Sequence, residues 1–183
     1  MRVFLIHIRD PQFYALPAAA RSPNGNLGIL GFPPIGIMSL SAVLKRAGHE
    51  CVMFDQANPE TPNAVIIGEI RRQRPALVGL SFLSTTSYPY AKILVRHIRA
   101  ADAHVLLAFG GVFATLNAVL VKRQCPEVDF VCRGDGEQLP FDLASAKSYR
   151  FQFSRVSTTM ISASECSART GVILVSDEPL RAC

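Results

Sequence analysis

The sequence predicts an α/β fold built on a doubly wound, five-stranded parallel sheet. Three observations carry that expectation. Short apolar runs alternate with amphipathic helical stretches from residue 2 to about residue 146, the pattern of repeated βαβ units. One of these runs, Ala76 to Phe82, is apolar on both faces, as a strand covered by helices above and below must be. With 49% hydrophobic and 18% charged residues, the 183-residue chain also has the material for one buried core of ordinary domain size.

The elements follow in order. The first strand is Arg2 to Ile8, and a loop bearing Pro and Gly runs on to about Pro34. The first helix spans about Pro34 to Ala47, with a proline in its first turn and Gly48 just past its end. The second strand is Glu50 to Asp55. The second helix, Asn63 to Arg74, is bounded by Pro62 and Pro75. After the third strand comes the clearest helix, Tyr88 to Ala101. There Tyr90, Ile93, Leu94, His97, Ile98 and Ala101 read as the core stripe, with Lys92, Arg96 and Arg99 on the opposite side. His104 to Phe109, Ala114 to Arg123 and Asp129 to Cys132 read as strand, helix and strand, and Glu137 to about Ala146 as a fifth helix. Right-handed crossovers then give the flavodoxin-like order 2-1-3-4-5. Strands one and three flank its switch point, where ligands bind. Residues 1–146 are expected to form one domain. Residues 147–183, with seven Ser and three Thr, are expected to be an irregular, poorly ordered tail and no second domain.

Composition excludes several functions. The net charge is +5, but the basic residues are scattered, and the cluster Arg71, Arg72 and Arg74 sits where it complements a helix C-terminus. No basic stretch carries interleaved aromatics and there is no Trp, so no nucleic-acid partner is expected. The uncharged run from Val105 to Val121 breaks into strand, turn and helix, so no membrane span is expected. Five cysteines without a CxxC spacing, and no signal-peptide pattern before Arg9, predict free thiols in a cytoplasmic setting.

Two turns at the carboxyl edge carry the chemistry. Ser81-Phe82-Leu83-Ser84 follows the third strand, and hydroxyls there can meet ligand oxygens. Gly110-Gly111-Val112 follows the fourth, and paired glycines let a bulky ligand approach the backbone. Twenty-six residues, 84–109, separate Ser81-x-Leu83 from Gly110-Gly111.

These elements resemble the cobalamin-binding domain family, whose pattern is Asp-x-His-x-x-Gly, then Ser-x-Leu, then Gly-Gly. The first element is missing here: its place holds Gly31-Phe32-Pro33-Pro34-Ile35-Gly36, without histidine. Pro33-Pro34-x-Gly36, Ala47-Gly48-His49-Glu50, Asp55, and the segment Val128 to Glu137 (VDFVCRGDGE) are similar to the amino-terminal domain of cobalamin-dependent radical-SAM proteins.

The resemblance implies that cobalamin is bound with its nucleotide tail inserted and no histidine lower ligand. It implies binding residues Ser81, Leu83, Ser84, Gly110, Gly111, Val112, Gly134, Gly136 and Glu137, none of them a metal ligand or catalytic. No CxxxCxxC is present, so no iron–sulfur cluster is expected in this chain, which reads as a truncated or split part of such an enzyme, not catalytic alone. A radical-SAM catalytic domain or chain is the expected partner.

Other readings stay open. A flavodoxin-like sensor, a sugar-nucleotide-transferase domain, or a ligand-free fragment would share the fold. Gly110-Gly111 could be a tight turn alone, Ser81 an ST-turn cap, and Arg133, Asp135 and Glu137 a local ion-paired turn. His7 and His97 read as core histidines. Cys132 reads as a small core residue, with a thiol activated by Arg133 as its alternative.

Overall fold

The computed structural model describes residues 1–10, 33–57, 61–134 and 136. Five strands, β1 (Arg2–His7), β2 (Glu50–Asp55), β3 (Leu77–Ser81), β4 (Leu106–Gly110) and β5 (Phe130–Val131), pair in parallel in the order β2-β1-β3-β4-β5. This is the flavodoxin-like arrangement. Helices α1 (Ile35–Arg46), α2 (Asn63–Gln73), α3 (Tyr88–Ala101), α4 (Val112–Leu116) and α5 (Ala118–Gln124) complete the described elements. The expected fifth helix at residues 137–146 and the tail lie outside the described residues.

Side-chain alternation along the strands divides the core in two. On one face Phe4, Ile6, Val78, Leu80, Leu107 and Phe109 pack with Ile66 and Ile70 of α2 and with α3 and α5. Phe4, Phe82 and Phe109 are completely buried there, and burial of a side chain of that size contributes roughly 1.5–3 kcal/mol. On the other face Val3, Leu5, Leu77, Leu106, Ala108 and Phe130 pack with Ile37 and Leu44 of α1. β1 is buried through its middle on both faces, whereas β2, at the sheet edge, leaves Met53 exposed.

The helix ends have local causes. Gly48, at φ +81°, lets the chain reverse after α1. Its N–H donates to the Lys45 carbonyl and that of His49 to the Leu44 carbonyl, a Schellman ending. Arg74 closes α2 in the left-handed region at φ +45°, with Pro75 following. The helix expected at Ala114 to Arg123 starts earlier, at Val112, and is broken at Asn117. The Asn117 side chain donates to the Phe113 carbonyl, and its own carbonyl accepts the first N–H of the next turn from Val121. That polar residue ends one helix and caps the next.

In α3 the bounds match expectation, but the stripe is rotated. Tyr88, Ala91, Leu94, Val95 and Ile98 are buried, while Ile93 and His97 are exposed. His97 is therefore a solvated histidine. Tyr90 is half-buried at the margin of the core, its ring carrying the Arg9 guanidinium at 4.4 Å, a cation–π contact.

Arg99 is likewise no surface cation. Its guanidinium donates to the carbonyls of Ala103 (3.0 Å), Val105 (2.7 Å) and Glu127 (2.7 Å) and to Asp129 Oδ2 (2.9 Å). The same Asp129 oxygen accepts the Leu107 N–H at 2.8 Å. One side chain thus ties the start of β4 to the segment entering β5. Arg99→Met is expected to lower unfolding stability by roughly 2–3 kcal/mol in urea titrations, because charge-assisted bonds of this kind are lost together. Arg99→Lys should recover only part, since one ammonium cannot span four acceptors. A change within about 0.5 kcal/mol for the Met variant would contradict this role.

Candidate functional site

A cleft of about 450 Å³ opens at the carboxyl edge on the α1 side of the sheet. Its shape follows from what the two central strands omit. The register pairs Ser81 with Gly110, Gly79 with Ala108, and Leu77 with Leu106. Going inward along that face, β3 presents Ser, Gly, Leu and β4 presents Gly, Ala, Leu. Small residues make the floor and leucines close the end. From Ser81 at the mouth to Leu77 at the end the floor runs four residue steps, about 13 Å at the rise of a parallel strand.

Three walls surround the floor. α1 contributes Gly36, Ile37, Leu40 and Leu44. The outer rim is formed by Leu83 with Gly111, Val112, Thr115 and Leu116, and the β5 side by Cys132, Gly134 and Gly136. Leu5 lies beside Gly79 in the sheet, and a β-carbon built on Gly79 would come within 3.1 Å of its Cδ2. A β-carbon on Gly110 would meet nothing within 4 Å, so Gly110 faces open space.

Gly111 does different work. At φ +92° its α-carbon faces the Phe82 peptide, and a β-carbon would lie 2.4 Å from the Phe82 carbonyl oxygen. The Phe82 N–H also donates to the Gly110 carbonyl at 3.3 Å. Beneath both turns the Phe82 ring meets Phe109 edge-on at 5.0 Å and Tyr88 at 5.6 Å. The two turns are therefore held as one unit. The β5 turn joins them: Arg133 donates to the Thr115 carbonyl and the Gly134 N–H to Thr115 Oγ1, both at 3.2 Å.

Of the residues singled out from the sequence, Ser81, Leu83, Gly110, Gly111, Val112, Gly134 and Gly136 surround this one cleft. Ser84 does not join them. Its hydroxyl donates to Asp10 and contacts Thr86 Oγ1 and Ser87 Oγ, and its oxygen accepts the Ser87 N–H at 3.1 Å. Ser84, not Ser81, thus makes the local hydroxyl cap. Asp10 also accepts from Thr86 at 2.8 Å, tying the end of β1 to this turn. Glu137 and Asp135 lie outside the described residues. Asp55 accepts the Ala57 N–H at 2.9 Å in an Asx turn.

The cleft also takes in Gly79 and Ala108, which no sequence motif marked, and Gly36, which the sequence marked only as part of Pro33-Pro34-x-Gly36. A glycine inside an apolar strand was the available signal, because it marks close approach to a strand.

Among the described residues lining the cleft none is charged. Cys132 is buried, which pushes its thiol up to about 12, so Arg133 does not activate it. At the neighbouring end of β1, burial lowers the His7 pKa, with Asp55 opposing weakly. Among the described residues no group of three metal-ligating side chains occurs, and no helix is long and apolar enough to cross a membrane.

Comparison with known proteins adds four findings. The family profile described as the B12 binding domain matches residues 30–141. The chain is 27% identical over 147 residues to the anaerobic magnesium-protoporphyrin IX monomethyl ester cyclase of Synechocystis, covering 80% of this chain and 28% of the cyclase. It is 30% identical over 134 residues to an uncharacterized methyltransferase of Pyrococcus horikoshii, covering 73% of this chain and 28% of that protein. The chain therefore spans less than a third of these relatives. Among solved structures, the cobalamin-dependent S-adenosylmethionine radical enzyme OxsB with aqua-cobalamin bound has a similar fold. The TM-score is 0.61 at 16% identity, over 81% of this chain and 19% of that one.

The contrast between the two glycines is testable by urea unfolding. Gly111→Ala is expected to lose roughly 2–4 kcal/mol, from the clash with the Phe82 peptide and the left-handed backbone. Gly110→Ala, which meets open space, should stay within about 0.5 kcal/mol of the parent. Equal losses would contradict the geometry.

Proposed function

The chain belongs to the B12 binding domain family, and we propose that its cleft receives the nucleotide tail of cobalamin. The observation that carries this reading is the floor itself. Gly110 opens on empty space and Ala108 adds only a methyl, while at Gly79 the Leu5 side chain lies over the backbone, so β3 and β4 form a low floor beneath the cleft. A volume of about 450 Å³ falls within the usual range of small-molecule sites, roughly 300–1,000 Å³. Family membership favours this ligand over the sensor and sugar-nucleotide readings.

In this function the chain binds and orients; it does not react. Ser81 and the backbone around Gly110 and Gly134 would meet the ribose and phosphate at the mouth, while the base enters between β3, β4 and α1. The exposed apolar rim of Leu83, Val112 and Leu116 would lie under the corrin. The corrinoid supplies cobalt-centred chemistry when bound. None of the four histidines lines the cleft among the described residues, which supports a lower cobalt face without a protein imidazole.

We further propose that the module serves a radical-SAM catalytic domain, carried by the same polypeptide or by a second one, for methyl transfer or another radical reaction. The sequence relatives and the OxsB fold support that assignment.

Titration of the folded chain with hydroxocobalamin is expected to change the visible spectrum of the corrinoid. Gly110→Phe should weaken binding at least 100-fold while the far-ultraviolet dichroism stays unchanged, because the ring fills the mouth. His7→Ala should leave the spectrum of bound cobalamin as it is. An unaltered spectrum on titrating the folded parent chain would remove the basis for cobalamin as the ligand.

A further inference from the structure

We infer that the inner end of the cleft selects among corrinoids by the polarity of the tail's base, preferring dimethylbenzimidazole over adenine. The inference rests on the tail-binding reading above and adds a ranking that a tail slot alone does not require.

The described lining is stratified along the strands. At the mouth lie its hydroxyls and thiol, Ser81, Thr115 and Cys132. Thr115 Oγ1 already accepts the Gly134 N–H, and the Cys132 N–H donates to the Phe109 carbonyl at 2.8 Å, which sets Cys132 level with the outer layer. One layer inward stand Gly79 and Ala108. Leu5, paired with Gly79, flanks that same layer, and beyond it Leu44 and Leu77 close the end, all three leucines at most 4% exposed. No described side chain in that inner half carries a hydrogen-bonding atom.

The backbone offers no substitute. β3 is paired on both sides, with β1 and β4, and β4 with β3 and β5. The N–H and C=O groups of the floor are directed sideways into these ladders. Among the described residues, those lining the inner end present only hydrocarbon.

The base is the far end of the tail and arrives there first. Dimethylbenzimidazole presents two methyl groups on its outer ring, matching the leucines. Adenine presents an exocyclic amine and ring nitrogens, which would lose their water and gain no partner. Stranding such groups weakens binding by one to two orders of magnitude, so the adenine-bearing corrinoid should bind about 10- to 100-fold more weakly.

Calorimetric titration of the full chain with hydroxocobalamin, its adenine-bearing counterpart and tailless cobinamide separates the possibilities. The expected order is cobalamin, then the adenine form at least tenfold weaker, then cobinamide weakest. Ala108→Ser, which places one hydroxyl on the floor, should narrow the ratio between the first two several-fold. A general loss of fold would weaken both alike and leave the ratio unchanged. Equal affinities for the two tailed corrinoids, with cobinamide still weak, would overturn the selectivity and leave the tail slot standing. Cobinamide binding as tightly as cobalamin, or no corrinoid binding at all, would overturn the slot and the selectivity together.

Discussion

The carboxyl edge of this sheet is organised by the approach of Gly111 to the Phe82 peptide. No residue with a β-carbon fits there, since that atom would lie 2.4 Å from a carbonyl oxygen. The contact locks the turn after β4 against the turn after β3, and the aromatic cluster of Phe82, Tyr88 and Phe109 supports both from below. Because this unit is rigid, the adjacent Gly110 can remain open to solvent without the mouth collapsing. Two successive glycines thus have opposite duties: one is pressed against protein and the other is kept clear of it.

The two faces of the sheet divide the remaining work. The face covered by α2, α3 and α5 carries the larger core, with its aromatic residues fully buried. The α1 face carries a smaller core and, continuous with it, the cleft. The larger core lies on the face away from the cleft, and the cleft floor is built from the small residues Ser81, Gly79, Gly110 and Ala108. A strand reading Leu-x-Gly-x-Ser on that face gives up burial to make room. Arg99, far from the mouth, compensates by fastening β4 and the entry to β5 through four acceptors.

Strand order and the bounds of α1, α2 and α3 were legible because they depend on periodicity and on Pro and Gly punctuation, both local signals. The phase of α3 was not. Tyr90 and Tyr88 are equally hydrophobic in the sequence, and the packing of Tyr88 on Phe82, Phe109 and Phe113 decides which ring is buried. Asn117 looked like a tolerable polar residue within a helix, whereas its side chain donates to the Phe113 carbonyl where α4 ends. The rim was legible from Ser81-x-Leu83 and Gly110-Gly111. The floor was less so, because Gly79 and Ala108 acquire meaning only when the register sets them side by side. Ser84 was assigned to the rim by adjacency, and Asp10, seventy-four positions earlier, claims its hydroxyl.

Entry of a bulky arm between β3, β4 and α1 is what the proposed binding mode requires above all. Amide chemical-shift mapping of the isotope-labelled chain on addition of hydroxocobalamin tests this most directly. The largest shifts should fall at Gly79, Ala108, Gly110 and Gly134, with Gln56 and Ala57 beyond β2 unmoved. Shifts confined to the β2 edge, or to the outer rim with Gly79 and Ala108 silent, would contradict it.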